Sequence, residues 1–132
     1  MTDPDSIEIV RGMYEAFHRG DAETSLSYFD PDVSVDLSRR VDGGIGRGPK
    51  DVNSLVSGWL GAWDDWSEEI EEMRGQGDRV YVVATQRGRG KGSGIEVENR
   101  YAVVYEVRHS KIVEMTLYGD PVEALEAAGL KE

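Results

Sequence analysis

Cysteine is absent from this 132-residue chain, histidine occurs only twice, and 15 basic residues face 26 acidic ones. Without cysteine there are no disulfides, no thiol nucleophile and no cysteine-held metal, although the compartment stays open. His18 and His109 lie far apart, so neither starts a zinc site. No metal and no organic cofactor is implied. A formal charge of −11 leaves no basic footprint for nucleic acid or an anionic membrane. No apolar run approaches the roughly 18 residues of a membrane helix. Met1-Thr2-Asp3-Pro4-Asp5 lacks the basic start and apolar core of a signal peptide, so a cytoplasmic location is expected.

What remains is an ordinary globular balance, 39% hydrophobic and 31% charged, at a length that suits one domain, residues 1–132. Asp3 and Pro4 suit a helix start. Ile7, Val10, Tyr14 and Phe17 then form one apolar stripe, and Gly20 stops the helix. Asp21 can cap a short second helix carrying Leu26 and Phe29. Asp30-Pro31-Asp32 reads as a turn before an alternating strand, Val33 to Leu37. The glycine-rich segment Arg39 to Gly48 reads as a loop. Gly48-Pro49 opens a helix whose apolar face is Val52, Leu55, Val56, Trp59, Leu60 and Trp63.

From Trp66 the pattern turns strand-like, and the spacing of Ile70 and Met73 breaks alternation as a bulge would. The acid of Asp64-Asp65 and Glu68-Glu69-Ile70-Glu71-Glu72 reads as a solvated edge. Val80 to Thr85 is a buried strand after the turn at Gly75 to Asp78. Ile95 to Tyr118 reads as a long hairpin turning at His109-Ser110, with Val113, Met115 and Leu117 on its buried face. Asp120 with Glu123 matches a capping box, and Gly129-Leu130 a helical stop. Helices followed by a meander of strands is an α+β order.

These segments, in this order, resemble the nuclear transport factor 2-like superfamily and its SnoaL-like branch, which shares the ketosteroid isomerase fold. The matching motifs are Tyr14 to Asp21, Tyr28 to Val33, Gly48 to Trp63, and Lys111-Ile112-Val113 through Asp120 to Leu130. The resemblance implies a cone: a curved antiparallel sheet wrapped around N-terminal helices and an apolar cavity, in a cystatin-like roll. It also implies a homodimer, for which apolar Ala102 and Val104 on the outer face offer a surface. Members include isomerases, polyketide cyclases, hydrolyases and non-enzymatic binders, so the fold does not name a reaction. The isomerase donors and base fall, by the resemblance, on Met13, Leu37 and Val103, none of which titrates. A one-residue slip would bring in Tyr14 and Asp36, but on a strand it turns a side chain to the opposite face.

With odd-numbered side chains inward between 99 and 117, the pocket is expected to have apolar walls and no built-in acid. Its lining is expected to be Tyr14, Phe17, Leu37, Trp59, Trp63, Asn99, Tyr101, Val103, Met115 and Leu117, with Asn99 and Tyr101 as polar handles. Each of these also has a purely structural reading, as core or as a polar tip reaching solvent. Asp120 reads as a cap rather than an acid, and Asp36 and Glu98 point outward by parity. Gln86 to Gly94 alternates glycine with Arg87, Arg89 and Lys91. It reads either as an anion-gripping flap or as a hairpin end whose cations offset nearby acid.

The expected function is a SnoaL-like domain that binds a small hydrophobic metabolite of unassigned specificity. No catalytic residue is assigned; an enzyme of this kind would be a cofactor-independent isomerase, cyclase or hydrolyase. The alternative is a dimerisation or protein-interaction module with a filled cone.

Overall fold

In the computed structural model, residues 4–39 and 43–129 are described. The expected cap Asp3, the loop residues Arg40 to Asp42, and Leu130 lie outside them. Helix α1 (Pro4–His18) and the short α2 (Ala22–Leu26) come first. Strands β1 (Phe29–Asp36) and β2 (Ile45–Arg47) lead to α3 (Gly48–Leu60). Then come β3 (Trp63–Gln76), β4 (Arg79–Gly90), β5 (Glu96–Arg108), β6 (Lys111–Tyr118) and α4 (Pro121–Ala128). The strands form one six-stranded sheet in the order β2-β1-β6-β5-β4-β3. The fold is the α+β roll expected, a curved sheet with helices against its inner face.

Local chemistry accounts for the punctuation. The Asp21 carboxylate accepts from Thr24 N at 3.1 Å, capping α2, and Asp120 accepts from Val122 N at 3.0 Å, capping α4. Glu123 leaves the expected capping box and pairs with Arg39 instead. Gly129 ends α4 in the left-handed region at φ 77°. The β5–β6 turn is two residues long, with His109 and Ser110 at φ 52° and 63°, the backbone that matches strand twist.

Five readings of the sequence need correction. The sheet is not wholly antiparallel: β1 runs parallel to β6. Asp30-Pro31-Asp32 lies within β1, as an irregular stretch between Phe29 and Ser34. The glycine-rich loop contains β2, paired with β1 from Ser34 to Asp36. Trp63 is not on α3, which stops at Leu60 where Gly61 N–H bonds back to Ser57; it opens β3. Finally, a register shift between Glu106 and Val107 leaves Val113 unpaired, so Ile112 takes the core position, fully buried. A single extra residue is enough to change the face. The bulge expected near Ile70 is present, between Ile70 and Glu72.

The main core lies between the helices and the concave face. It joins Val10, Met13 and Tyr14 of α1 with Val80, Val82, Val103, Tyr105, Val107, Ile112 and Leu117 of the sheet. A second layer covers the opposite face, where Ala124, Leu125 and Ala128 of α4 pack on Tyr81, Val83, Ala102 and Val104. The apolar outer patch that suggested a dimer surface is therefore covered by the chain's own last helix.

The hairpin turn gives a stability test. Two non-glycine residues in the left-handed region cost strain that Asn-Gly would relieve. The double change His109→Asn, Ser110→Gly should stabilise the protein by about 1 kcal/mol, read as a raised urea midpoint with unchanged slope.

Candidate functional site

The inner face of the sheet, α1, α2 and α3 enclose a cavity of about 170 Å³. Of the residues expected to line it, Tyr14, Phe17, Leu37, Trp59, Tyr101, Val103, Met115 and Leu117 border it. Asn99 does not, because β5 runs past the cavity rim there and the side chain is exposed. Trp63 does not either. It lies over the bare inner face of Gly88, where an added Cβ would come within 3.2 Å of its ring, and meets Trp59 edge to face at 5.3 Å. Met13, Leu37 and Val103, where the isomerase comparison finds no titrating group, all border the cavity. Met13 and Tyr14 do so together because successive helix positions are only about 100° apart. Asp36 bonds to Ser38 outside it.

The expectation of a cavity without acid is overturned by Glu68. Its side chain is 5% exposed and borders the cavity, and one carboxylate oxygen lies 2.9 Å from His18 Nε2. Within a run of five acid or apolar residues, alternation alone decides which side chain turns inward. Glu68 is the one that pairs across β4 with Gln86, whose own side chain borders the cavity. Among the described residues lining the cavity, Glu68 is the sole carboxylate.

Gln86, Glu68 and Tyr105 are functional candidates that the sequence reading passed over. Gln86 is 5% exposed. Its side-chain oxygen accepts from Trp59 Nε1 at 2.9 Å and from Trp66 Nε1 at 3.0 Å. Only an oxygen can face two indole N–H groups, so the amide's orientation is chemically fixed. Tyr105 meets Tyr14 hydroxyl to hydroxyl at 2.6 Å, the rings edge to face at 5.9 Å. Burial pushes the Tyr14 hydroxyl well above the ordinary tyrosine range, reinforced by Tyr105 and by the charge of Glu68. Burial likewise raises Tyr105, opposed by its bond to Tyr14. Both are thus neutral hydroxyls; within the pair one donates and the other accepts, which leaves one proton for a further acceptor. The signal for Tyr105 was available, since it shares the inward parity of Tyr101 and Val103.

Arg87 and Arg89 in the glycine ribbon are engaged from outside the cavity. Arg87 pairs with Glu98 at 2.7 Å and Glu69 at 3.7 Å, and Arg89 with Asp65 and Glu96, both at 3.6 Å. Among the described residues, no three His, Cys, Asp or Glu side chains converge as metal ligands would.

With this geometry in hand, comparison with known proteins is informative. The family model of the SnoaL-like domain matches residues 10–115. The chain belongs to the SnoaL-like family. An uncharacterised protein of Mycobacterium tuberculosis is 27% identical over 124 residues, covering 92% of this chain and 94% of its own. A solved NTF2-like protein of unknown function from Burkholderia pseudomallei superposes with a TM-score of 0.77 at 22% identity, covering 96% and 98% of the two chains. A further M. tuberculosis protein, crystallised in complex with estradiol-17β-hemisuccinate, has a TM-score of 0.71 at 17% identity, covering 88% of this chain and 94% of that one. This SnoaL-like chain thus shares its fold with a solved protein of unknown function and with one crystallised with a steroid ester.

The tyrosine pair yields two measurable consequences. Tyr105→Phe should cost about 1–3 kcal/mol, because the buried Tyr14 hydroxyl loses its partner. The Tyr14→Phe, Tyr105→Phe double change should cost less than the sum of the singles in urea unfolding. The raised values also make this contribution to stability sensitive to alkali. The folded protein keeps protons that the unfolded chain releases, so this stability is fully present below about pH 10 and is lost as pH rises further. Titration at the tyrosinate absorbance should show Tyr14 and Tyr105 ionising only as the chain unfolds.

Proposed function

We propose that this SnoaL-like domain binds a small hydrophobic metabolite in its cavity, with the ligand's polar end at the Tyr14, Tyr105, Glu68 and Gln86 cluster. The observation that carries this reading is an apolar hollow with a few fixed polar groups, the usual form of a small-molecule site. Phe17, Leu37, Trp59, Val103, Met115 and Leu117 supply walls that desolvate the ligand, and Tyr101 adds a hydroxyl. Size narrows the occupant. A dry cavity of about 150 Å³ holds a benzene ring, whereas drug-sized ligands need about 300 Å³ or more. The hollow therefore suits one ring or an equivalent aliphatic group, with the remainder of a larger molecule leaving through the mouth.

Two neutral tyrosines and a carboxylate are also the parts that proton transfer on a carbonyl compound requires. If the domain turns its ligand over, Glu68 is the base and the tyrosines hold the developing oxyanion, without a cofactor. That a similarly folded M. tuberculosis protein was crystallised with a steroid ester supports the capacity of the roll to hold apolar molecules. We place the protein in the cytoplasm and expect a homodimer. Its interface has to use a surface other than Ala102 and Val104, which α4 covers. A filled-cone interaction module fits less well, since the helices leave a hollow lined by buried polar groups.

The test is direct. Ethylbenzene and acetophenone should bind the wild-type protein by isothermal titration and raise its thermal midpoint. Val103→Phe, which fills the hollow, should weaken binding by at least about tenfold while the far-ultraviolet spectrum is kept. Binding by neither compound, or equal binding by the filled variant, would remove the reading.

A further inference from the structure

Glu68 and Gln86 are direct cross-strand partners on β3 and β4, and both border the cavity. Residues directly opposite on an antiparallel pair project from the same face with Cβ atoms about 5 Å apart. Their polar ends are opposite in kind. The Gln86 oxygen is consumed by the two indole N–H groups, which leaves its NH2 as the end that can serve a ligand. That NH2 makes no hydrogen bond to the described residues, and the residue is 95% buried by its 5% exposure. Because Gln86 borders the cavity, that free donor is available to a ligand seated there. Beside it, Glu68 has one oxygen engaged by His18 and a second oxygen that accepts only.

We infer that Gln86 and Glu68 together form a specificity pair that recognises a ligand carrying a carbonyl oxygen and an adjacent hydroxyl, as in an α-hydroxy ketone. The carbonyl accepts from the Gln86 amide and the hydroxyl donates to Glu68. The inference rests on the proposed ligand-binding reading and names the chemistry at that site. The two indoles are what make Gln86 selective. A free glutamine amide can turn and present either end, but this one can present only donors. A carboxylate-bearing ligand is disfavoured by the neighbouring charge of Glu68, and a plain hydrocarbon leaves both groups without partners.

Four compounds of one ring size separate the possibilities: phenyl hydroxymethyl ketone, acetophenone, phenylethanol and ethylbenzene, each titrated calorimetrically into the full chain. The hydroxy ketone should bind about tenfold tighter than either compound with one polar group. Glu68→Met, which deletes the acceptor at similar length, should remove the gain from the hydroxyl and keep that from the carbonyl. Gln86→Glu retains an acceptor for both indoles while deleting the N–H donors, so it should remove the gain from the carbonyl. Gln86→Met, checked for an unchanged near-ultraviolet spectrum, should do the same without adding charge. Equal affinities across the four compounds in the wild type would overturn the pair while leaving the cavity reading standing. Loss of ethylbenzene binding in every variant, in step with the hydroxy ketone, would assign both residues a structural role only. Absence of binding by all four, ethylbenzene included, would overturn both proposals.

Discussion

Strand β4 is buried on both faces from Val80 to Gln86, and the rest of the molecule is arranged around that fact. Alternate side chains go to different layers. Val80 and Val82 join the core under α1, while Tyr81 and Val83 lie under α4. A strand covered on both sides cannot slip by one residue without exchanging its entire complement between layers. Its register with β5, continuous from Arg79–Glu106 to Arg89–Glu96, is therefore pinned by packing from Val80 to Gln86. Through β5 the constraint passes to β6, and through β3 to Glu68. The side chains that border the cavity inherit their direction from this strand.

The same constraint explains what was legible in the sequence. Inward parity along β5 could be read because Tyr101, Val103, Tyr105 and Val107 alternate with Arg100, Ala102, Val104 and Glu106 without interruption. The α1 stripe, the Asp21 and Asp120 caps and the Gly129 stop were legible because each depends on residues within one turn of the chain. Failures gather where non-local packing decides. Trp63 continues the helical spacing of Trp59, yet Gly58 and Gly61 flank the point where the chain leaves α3, and the bare Gly88 on β4 gives the indole a seat. Val113 continues the alternation of Met115 and Leu117, yet the extra residue in β6 hands the core position to Ile112. Neither seat is visible from the local pattern.

Glu68 shows the limit most clearly. In a stretch so rich in acid, composition argues for a solvated edge, and most of it is one: Glu69 pairs with Arg87, and Glu71 with Arg100 and Thr85. Two register shifts along β3, between Asp64 and Ser67 and between Ile70 and Glu72, define a short segment with its own phase. Only that phase, set by pairing to β4, separates Glu68 from its acidic neighbours. A reading that treats the run as one surface loses the single carboxylate that enters the hollow.

The electrostatics of that hollow follow from how its polar groups are held. A carboxylate withdrawn from water is unfavourable unless partnered, and His18 meets it from the exposed end of α1 at 2.9 Å. Its charge in turn keeps the neighbouring tyrosines protonated, adding to the effect of burial. The indoles fix the remaining amide with its donors free. The cavity thus combines one fixed acceptor with several donors, each restrained by a group on a different element. Rigid polar groups in an apolar enclosure favour ligands that match them and penalise those that do not, because an unmet buried donor or acceptor costs more than a met one returns. Selectivity in this fold then depends less on the shape of the apolar wall than on the few side chains whose orientation the sheet and the indoles have already decided.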